Sequence, residues 1–436
     1  MPVKAESAVL AEATTRSPHG FRATVSSVIG FALDLYDLYV IVFVAPAIAA
    51  VFFPLENTAL ALAGSYVALA ATLIMRPIGA ALMGVIGDRH GRKRAMVVAL
   101  LGVGCVTALM GMLPGAQAIG VAAPLLLLLL RLVQGLFVGG VFASTLTLAT
   151  ESVPARWRGL VSGVVGGGGT ALGSLLAALA LFATTRIFPG EAFNEWGWRV
   201  MFLAGGLPVL VSVLVMKYVE ESPLWSAKPD RVASPLAPLL TRGPHRKVLA
   251  ANIAVVFGVA TFFLLTLGLL PSFLQVVNGL SVATVSVILV WVNLGAFVFA
   301  PLSGHLSERY GRRRVLLCAS AVNMIALPCL YMWLADVASP VMVALPALLL
   351  SGLTIAAFGP LPIFLNERFP TSIRASGTAL SINGGFALAG LVPAVVNALS
   401  GGPAQLPVYV AVGLVLAGVV TVATLSRTSE PRRGLT

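Results

Sequence analysis

The chain has 436 residues, of which 58% are hydrophobic and 10% charged, with 44 glycines and a mean hydropathy of +0.97. No soluble domain of this length has that composition; at about 20 apolar residues per crossing it holds roughly a dozen transmembrane helices. Its net charge of +12 does not indicate nucleic acid, because all but four of the 28 Lys and Arg (the exceptions are Arg76, Arg131, Arg186 and Arg199) fall on one side of the expected topology, the bias that marks a cytoplasmic face.

Residues 1–22 read as a cytoplasmic tail. The first 20 residues hold no apolar core with a small-residue cleavage site, so the first helix is expected to direct insertion. That helix, about 23–53, contains GFALDLYDLY, which carries Asp34, Tyr36 and Asp37. The two aspartates are three apart and share a face. A charge at bilayer depth costs at least about 2.5 kcal/mol, so both are expected to face an aqueous interior, and either is a candidate proton carrier. The second helix, about 58–86, carries Arg76-Pro77. Asp34 lies 12 residues inside Arg22 and Arg76 lies 12 before Asp88, so at 1.5 Å per residue both sit about 18 Å from the same edge and are placed to pair; Arg76 and Tyr36 are also candidate substrate contacts.

The stretch Gly84–Arg94 then reads GVIGDRHGRKR, with Asp88, Arg89 and Arg92. The third helix, about 95–114, reads as plain apolar packing. The fourth begins near Ala122, carries RLVQGLFVGG from Arg131, and ends at Glu151. Arg131 is always charged and its planar fork suits a carboxylate. It is read both as a substrate contact and as the partner of a first-helix aspartate, with Gln134 beside it. Helix 5, about 159–183, contains a run of glycines at 166–169 that permits close helix approach. No Gly-Lys pair occurs anywhere, so the chain has no P-loop and hydrolyses no ATP itself.

An outer loop at 184–196 precedes WGWR and a sixth helix to about Lys217, and residues 219–247 form the longest internal loop. Helices 7 to 12 are expected at about 248–274, 282–303, 315–334, 340–366, 375–398 and 406–425, followed by a basic tail. They hold no intramembrane charge. Asn252, Thr266, Gln275, Trp291, Asn293 and Asn383 are their candidate cavity groups, and serve equally as interhelical hydrogen-bond groups. Ion chemistry is therefore expected in the first half. Cys105, Cys318 and Cys329 lie in apolar runs and are read as core residues. The four histidines fall in tails or loops, and neither a metal-ligand cluster nor a nucleophile motif is present, so no enzyme, metal or cofactor is expected.

The chain repeats itself. Gly304–Arg314 reads GHLSERYGRRR, placing Glu308 on Asp88, Arg309 on Arg89, Gly311 on Gly91 and Arg312 on Arg92 at an offset of 220. A second echo sets Glu367, Pro370 and Arg374 on Glu151, Pro154 and Arg158 at an offset of 216. Two six-helix bundles, 23–218 and 248–425, follow from this repeat. The acidic and basic residues at these helix ends are read as gating groups rather than substrate sites.

The Gly-x3-acid-Arg-x-Gly-Arg spacing resembles the signature between the second and third, and eighth and ninth, helices of the major facilitator superfamily. Further landmarks resemble its metabolite:proton symporter family: the first-helix Asp34-Tyr36-Asp37 stretch, RPIGA from Arg76, RLVQG from Arg131, and WGWR followed by EESP. So does Gly359 to Pro393, with Pro370-Thr371, Arg374, Ser376-Gly377 and Asn383. The resemblance implies an all-α membrane protein of twelve transmembrane helices in two pseudo-symmetric bundles. It further implies alternating access and proton-driven uptake across the inner membrane, with both termini cytoplasmic. Its members carry organic acids such as 2-oxoglutarate, citrate and shikimate, or proline and betaine. Two positions depart from the family pattern: Val141 stands where relatives carry a glutamate, and Asp34-Leu35 where they carry Glu-Trp. The expected function is proton-coupled symport of a small organic acid by a monomer. Its partners are the substrate, the proton and the lipid bilayer. Drug efflux by antiport is the competing reading, and Thr170 after Gly169 lacks the Gly-Pro pairing of that class.

Overall fold

In hydrocarbon every backbone N–H and C=O must be satisfied within the protein, and a segment that crosses alone does so as a helix. The computed structural model describes residues 17–90, 92–139, 157–207, 209–210, 243–337, 339–370 and 373–430, and among these there is no strand. The membrane segments are α1 (Ser17–Phe43, bent on into Ala45–Phe52), α2 (Thr58–His90), α3 (Arg92–Met112), α4 (Ala122–Val138), α5 (Arg158–Gly163 through a π-turn to Gly169–Ile187) and α6 (Trp198–Ala204). The second half comprises α7 (Pro244–Phe263, a π-turn at Leu264–Gly268, then Leu270–Val276), α8 (Val282–Tyr310) and α9 (Arg312–Ala335). It continues with α10 (Pro340–Phe358 with Leu361–Asn366), α11 (Arg374–Ala389 with Val392–Ser400) and α12 (Leu406–Ser426).

The packing obeys the sequence repeat. In the first half α1 packs on α5, α2 on α4 and α3 on α6; in the second α7 packs on α11, α8 on α10 and α9 on α12. Adding six to each first-half pair gives the second-half pair. The halves meet through α2 against α11 and α5 against α8, which are images of each other under the same rule. Large apolar residues such as Leu125, Leu129, Ile325, Val341 and Leu416 remain exposed on the outside, where a bilayer supplies their solvent.

Glycines set the closest approach. A side chain at Gly135 would strike the Thr72 carbonyl and the Met75 Cβ, and one at Gly139 the Arg76 carbonyl. Backbone therefore packs directly on backbone where α2 crosses α4, which seats Arg76 and Arg131 in adjacent layers.

Several sequence expectations change. The first helix is not straight: it bends by 60° between Val28–Phe43 and Ala45–Phe52, because Pro46 has no N–H for the carbonyl of Val42. Both signature stretches are helical further than their apolar runs, to His90 and Tyr310. The second one turns at Gly311, whose φ of 100° only glycine adopts readily. The outer loop shrinks, since α5 continues to Ile187 and a π-turn at Phe193–Gly197 already leads into α6. Cys105, Cys318 and Cys329 are exposed on the apolar exterior rather than buried, because lipid and core accept the same side chains. Of the internal loop expected at 219–247, residues 219–242 lie outside the described residues, as do Lys217 and Val141.

The halves touch at both ends and in the middle. The Tyr66 hydroxyl donates to the Gly268 carbonyl at 3.2 Å and lies 2.7 Å from Ser272 Oγ. The rings of Tyr39 and Phe263 meet edge to face at 5.9 Å. Nearer the signature end, Asn383 Nδ2 donates to the Gly139 carbonyl at 3.3 Å. Among the described residues the two bundles are thus in contact along the length of their interface.

Replacing Gly135 with Val forces backbone atoms of α2 and α4 apart, whereas Gly402 has nothing within 4 Å of an added Cβ. We expect Gly135→Val to lower the thermal unfolding temperature in detergent markedly, by about the 1–3 kcal/mol of an overpacked core. Gly402→Ala should be neutral. Equal melting of the two variants would show that the α2–α4 contact is looser than described.

Candidate functional site

Two ion pairs lie inside the first half. Arg76 on α2 places Nη2 3.7 Å from Asp34 Oδ2, and Arg131 on α4 places Nη1 3.5 Å from Asp37 Oδ2. All four residues are buried, Arg131 completely. Pairing is what low dielectric demands, since an uncompensated charge there is far costlier than a paired one. The shared face expected for the two aspartates is divided in practice: Asp34 turns to α2 and Asp37 to α3 and α4.

Around the deeper pair lies a hydrogen-bond chain. Arg131 Nη1 donates to Gln134 Oε1 at 2.8 Å, and Thr72 Oγ1 reaches the same oxygen at 3.3 Å. Because arginine only donates, the amide oxygen of Gln134 must face it. Its Nε2 then points at Thr107 Oγ1, 2.8 Å away, and Thr107 Oγ1 lies 2.8 Å from Asp37 Oδ1. Phe202 of α6 closes the far side, with its ring centre 5.4 Å from the guanidinium carbon. Among the described residues Nε and Nη2 of Arg131, both oxygens of Asp34 and Nε of Arg76 make no hydrogen bond. The cluster thus keeps unused hydrogen-bonding capacity on Asp34, Arg76 and Arg131, while both oxygens of Asp37 are engaged. Tyr36 completes the wall, its hydroxyl donating to the Met201 carbonyl at 3.0 Å.

The other expected site residues disperse. Trp291 is 66% exposed on the outer face of α8 and lines no cavity; its neighbours Val292 and Asn293 point inward instead. Asn293 is buried but donates to the Leu289 carbonyl of its own helix at 2.7 Å. Gln275 likewise donates to the Pro271 carbonyl. Asn252 lies at the signature end, accepting from Arg368 Nη1 at 2.6 Å. Thr266 sits in the π-turn of α7 and lies 2.8 Å from Thr354 Oγ1 of α10. Asn383 alone of this set reaches the first half.

At the signature end of the second half, Arg312 Nη2 lies 3.5 Å from Glu367 and 4.0 Å from Glu308, tying α8, α9 and α10 together. Arg374 Nε donates to the carbonyls of Asn366 and Phe369 that close α10. Arg309 is exposed. In the first half, Glu151 and the side chains of Asp88, Arg89, Arg92 and Arg158 lie outside the described residues.

Thr107 is a member of the cluster that the sequence does not announce. A lone threonine in an apolar helix gives no signal, and only its register against Asp37 and Gln134 makes it part of the cluster.

The profile of the Major Facilitator Superfamily matches residues 27–380 and 253–436. The chain is 32% identical to the inner membrane metabolite transport protein YhjE of Escherichia coli K12, over 83% of each chain. It is 31% identical to the alpha-ketoglutarate permease of the same organism, over 96% of this chain and 93% of that one. It is 27% identical to the proline/betaine transporter of Salmonella typhimurium, over 95% and 85%. The solved D-xylose-proton symporter superposes with a TM-score of 0.75 at 19% identity, covering 96% of this chain and all of that one, so the two share a fold. With the repeat, the twelve helices and a family match that spans nearly the whole sequence, the chain belongs to the Major Facilitator Superfamily and is a membrane transporter rather than an enzyme.

Proposed function

We propose that the protein is a proton-coupled symporter that takes up a small organic acid across the inner membrane by alternating access, working as a monomer with both termini in the cytoplasm. The observation that carries this reading is the buried Asp37–Arg131 pair, in which two donors of the arginine make no hydrogen bond. An ionised Asp37 holds the guanidinium. A proton on Asp37 releases it, and a substrate carboxylate then takes the vacated charge through the unused donors. Proton and anion load together, so the loaded site is as neutral as the empty one, and either crosses between states more readily than a site holding the proton or the anion alone. Asp34 with Arg76 forms the second candidate site. Tyr36 and Gln134 supply shape and hydrogen bonds beside these pairs, and Asn383 reaches the first half from the second; Thr266, Asn293 and Asn252 hold contacts within their own half. The signature groups Asp88, Arg89, Arg92, Glu151 and Arg158, with Glu308, Arg309, Arg312, Glu367 and Arg374, gate the cytoplasmic face. The alpha-ketoglutarate named for one relative supports an acidic substrate.

A second reading rests on one observation. Asp34 and Arg76 offer a negative and a positive group side by side, each short of hydrogen bonds. Such a pair complements a zwitterion, the class named for the proline/betaine relatives.

In proteoliposomes with an acid exterior, labelled α-ketoglutarate should accumulate, and excess proline or betaine should not compete. Competition by the zwitterions alone would favour the second reading. Asp37→Asn should abolish accumulation while preserving substrate exchange in counterflow. If Asp37→Asn still accumulates and Asp34→Asn does not, the proton belongs to Asp34.

Arg131→Lys retains the charge but not the fork, so kcat/KM should fall about tenfold or more, nearly as far as for Arg131→Ala. Normal transport by the lysine variant would argue for a neutral substrate. For orientation, a background with Cys105, Cys318 and Cys329 replaced by serine is labelled from outside with an impermeant maleimide. Glu191→Cys should react and Ser234→Cys should not; the opposite pattern inverts the topology.

A further inference from the structure

The hydroxyl of Thr107 has one hydrogen and two acceptors at the same distance. Oγ1 lies 2.8 Å from Asp37 Oδ1 on α1 and 2.8 Å from the Val103 carbonyl of its own helix. Its acceptor side is already engaged by Gln134 Nε2 at 2.8 Å, and that amide is fixed in orientation by Arg131. Thr107 is wholly buried, so no bulk water substitutes for either partner.

We infer that Thr107 is a positioning residue for proton coupling, a hydroxyl rotor that follows the protonation of Asp37. With Asp37 ionised, Thr107 donates to Oδ1 and accepts from Gln134. When Asp37 carries a proton, its O–H donates to Thr107 Oγ1, which uses its second lone pair. The threonine hydrogen turns to the Val103 carbonyl. No proton leaves the threonine, and every group in the chain keeps a partner in both states. Without the rotor, one state would leave a donor facing a donor, or a buried carboxylate held only by Arg131 at 3.5 Å.

This rests on the reading that Asp37 carries the coupled proton. The groups facing Asp37 are Arg131 and Gln134 from α4, Thr107 from α3 and Thr72 from α2 through Gln134. On its own helix stand Asp34, itself paired with Arg76, and Tyr36, bonded to Met201. Thr107 is thus the group that answers a proton by rotating rather than by moving a charge.

Thr107→Val keeps the shape and removes the hydroxyl; Thr107→Ser keeps the hydroxyl. The ionised carboxylate loses a charge-assisted bond and the acid a weaker one, so the valine variant should hold its proton to higher pH. The pH profile of accumulation should move upward by about one unit, the scale of one hydrogen bond to a charged group, and the serine variant should follow the wild type. A transport-independent readout is the carboxylic C=O infrared band that disappears in Asp37→Asn. Its titration in the purified protein should shift in Thr107→Val and stay in Thr107→Ser. An unmoved titration in Thr107→Val, or an equal shift in the serine variant, overturns the inference. If Asp37→Asn still accumulates substrate, it is the assignment of the proton to Asp37 that fails. If Asp37→Asn loses accumulation while Thr107→Val titrates like wild type, only the rotor fails.

Discussion

Burying charge in hydrocarbon is the constraint on which the first half of this molecule depends. Two carboxylates and two guanidiniums lie inside it, each opposite its counter-charge. Holding them there requires α1, α2 and α4 to cross at fixed heights, and the glycines of α4 let that crossing reach backbone contact. Had α2 and α4 been spaced by ordinary side chains, Arg76 and Arg131 would sit farther from the α1 aspartates, and the remaining charge would drive the helices to rearrange.

The second half uses the same helix pairs without charge. Where α1, α3 and α4 bring Asp37, Thr107 and Arg131 together, α7, α9 and α10 bring Thr266, Tyr331 and Thr354. The Tyr331 hydroxyl lies 2.7 Å from the Leu265 carbonyl and 3.0 Å from that of Thr266. Those carbonyls belong to the π-turn of α7, where the regular bonding ladder lapses and carbonyls need other donors. Tyr331 serves two of them from inside the half, and Tyr66 serves Gly268 from across the interface. The break in α7 is therefore stitched from both bundles, one stitch lying within the second half and the other crossing between the halves.

The sequence made some of this legible and hid the rest for definite physical reasons. A charge within an apolar run is costly enough to need a partner, so Asp34, Asp37, Arg76 and Arg131 stood out and their pairing followed from depth. Matched glycines, acids and arginines at constant offset revealed the repeat. Helix rotation was not legible, because lipid and protein core prefer the same residues and the amphipathic stripe of a soluble helix is missing. Hence the sequence alone puts Trp291 and the three cysteines inside, whereas they face out. Helix ends were blurred as well, since α2 and α8 extend beyond the apolar run into water. The bend at Pro46 was written in the sequence but passed over within a long hydrophobic stretch. Thr107 was invisible, as its importance lies in what another helix sets beside it.

The four charges of the buried cluster sum to zero, and the described membrane interior of the second half adds none. On the alternating-access reading proposed above, an empty carrier with these four charges moves no net charge through them, so its return is indifferent to the membrane voltage, whose effect is about 2.3 kcal/mol per charge per 100 mV. Voltage acts only on what is loaded. A monoanion accompanied by one proton crosses without current and responds to the pH gradient alone. A zwitterion with one proton carries a full positive charge and is drawn by the interior-negative potential. On that reading, current recorded during uptake reports the ionic form of the cargo, since the buried cluster adds no net charge of its own.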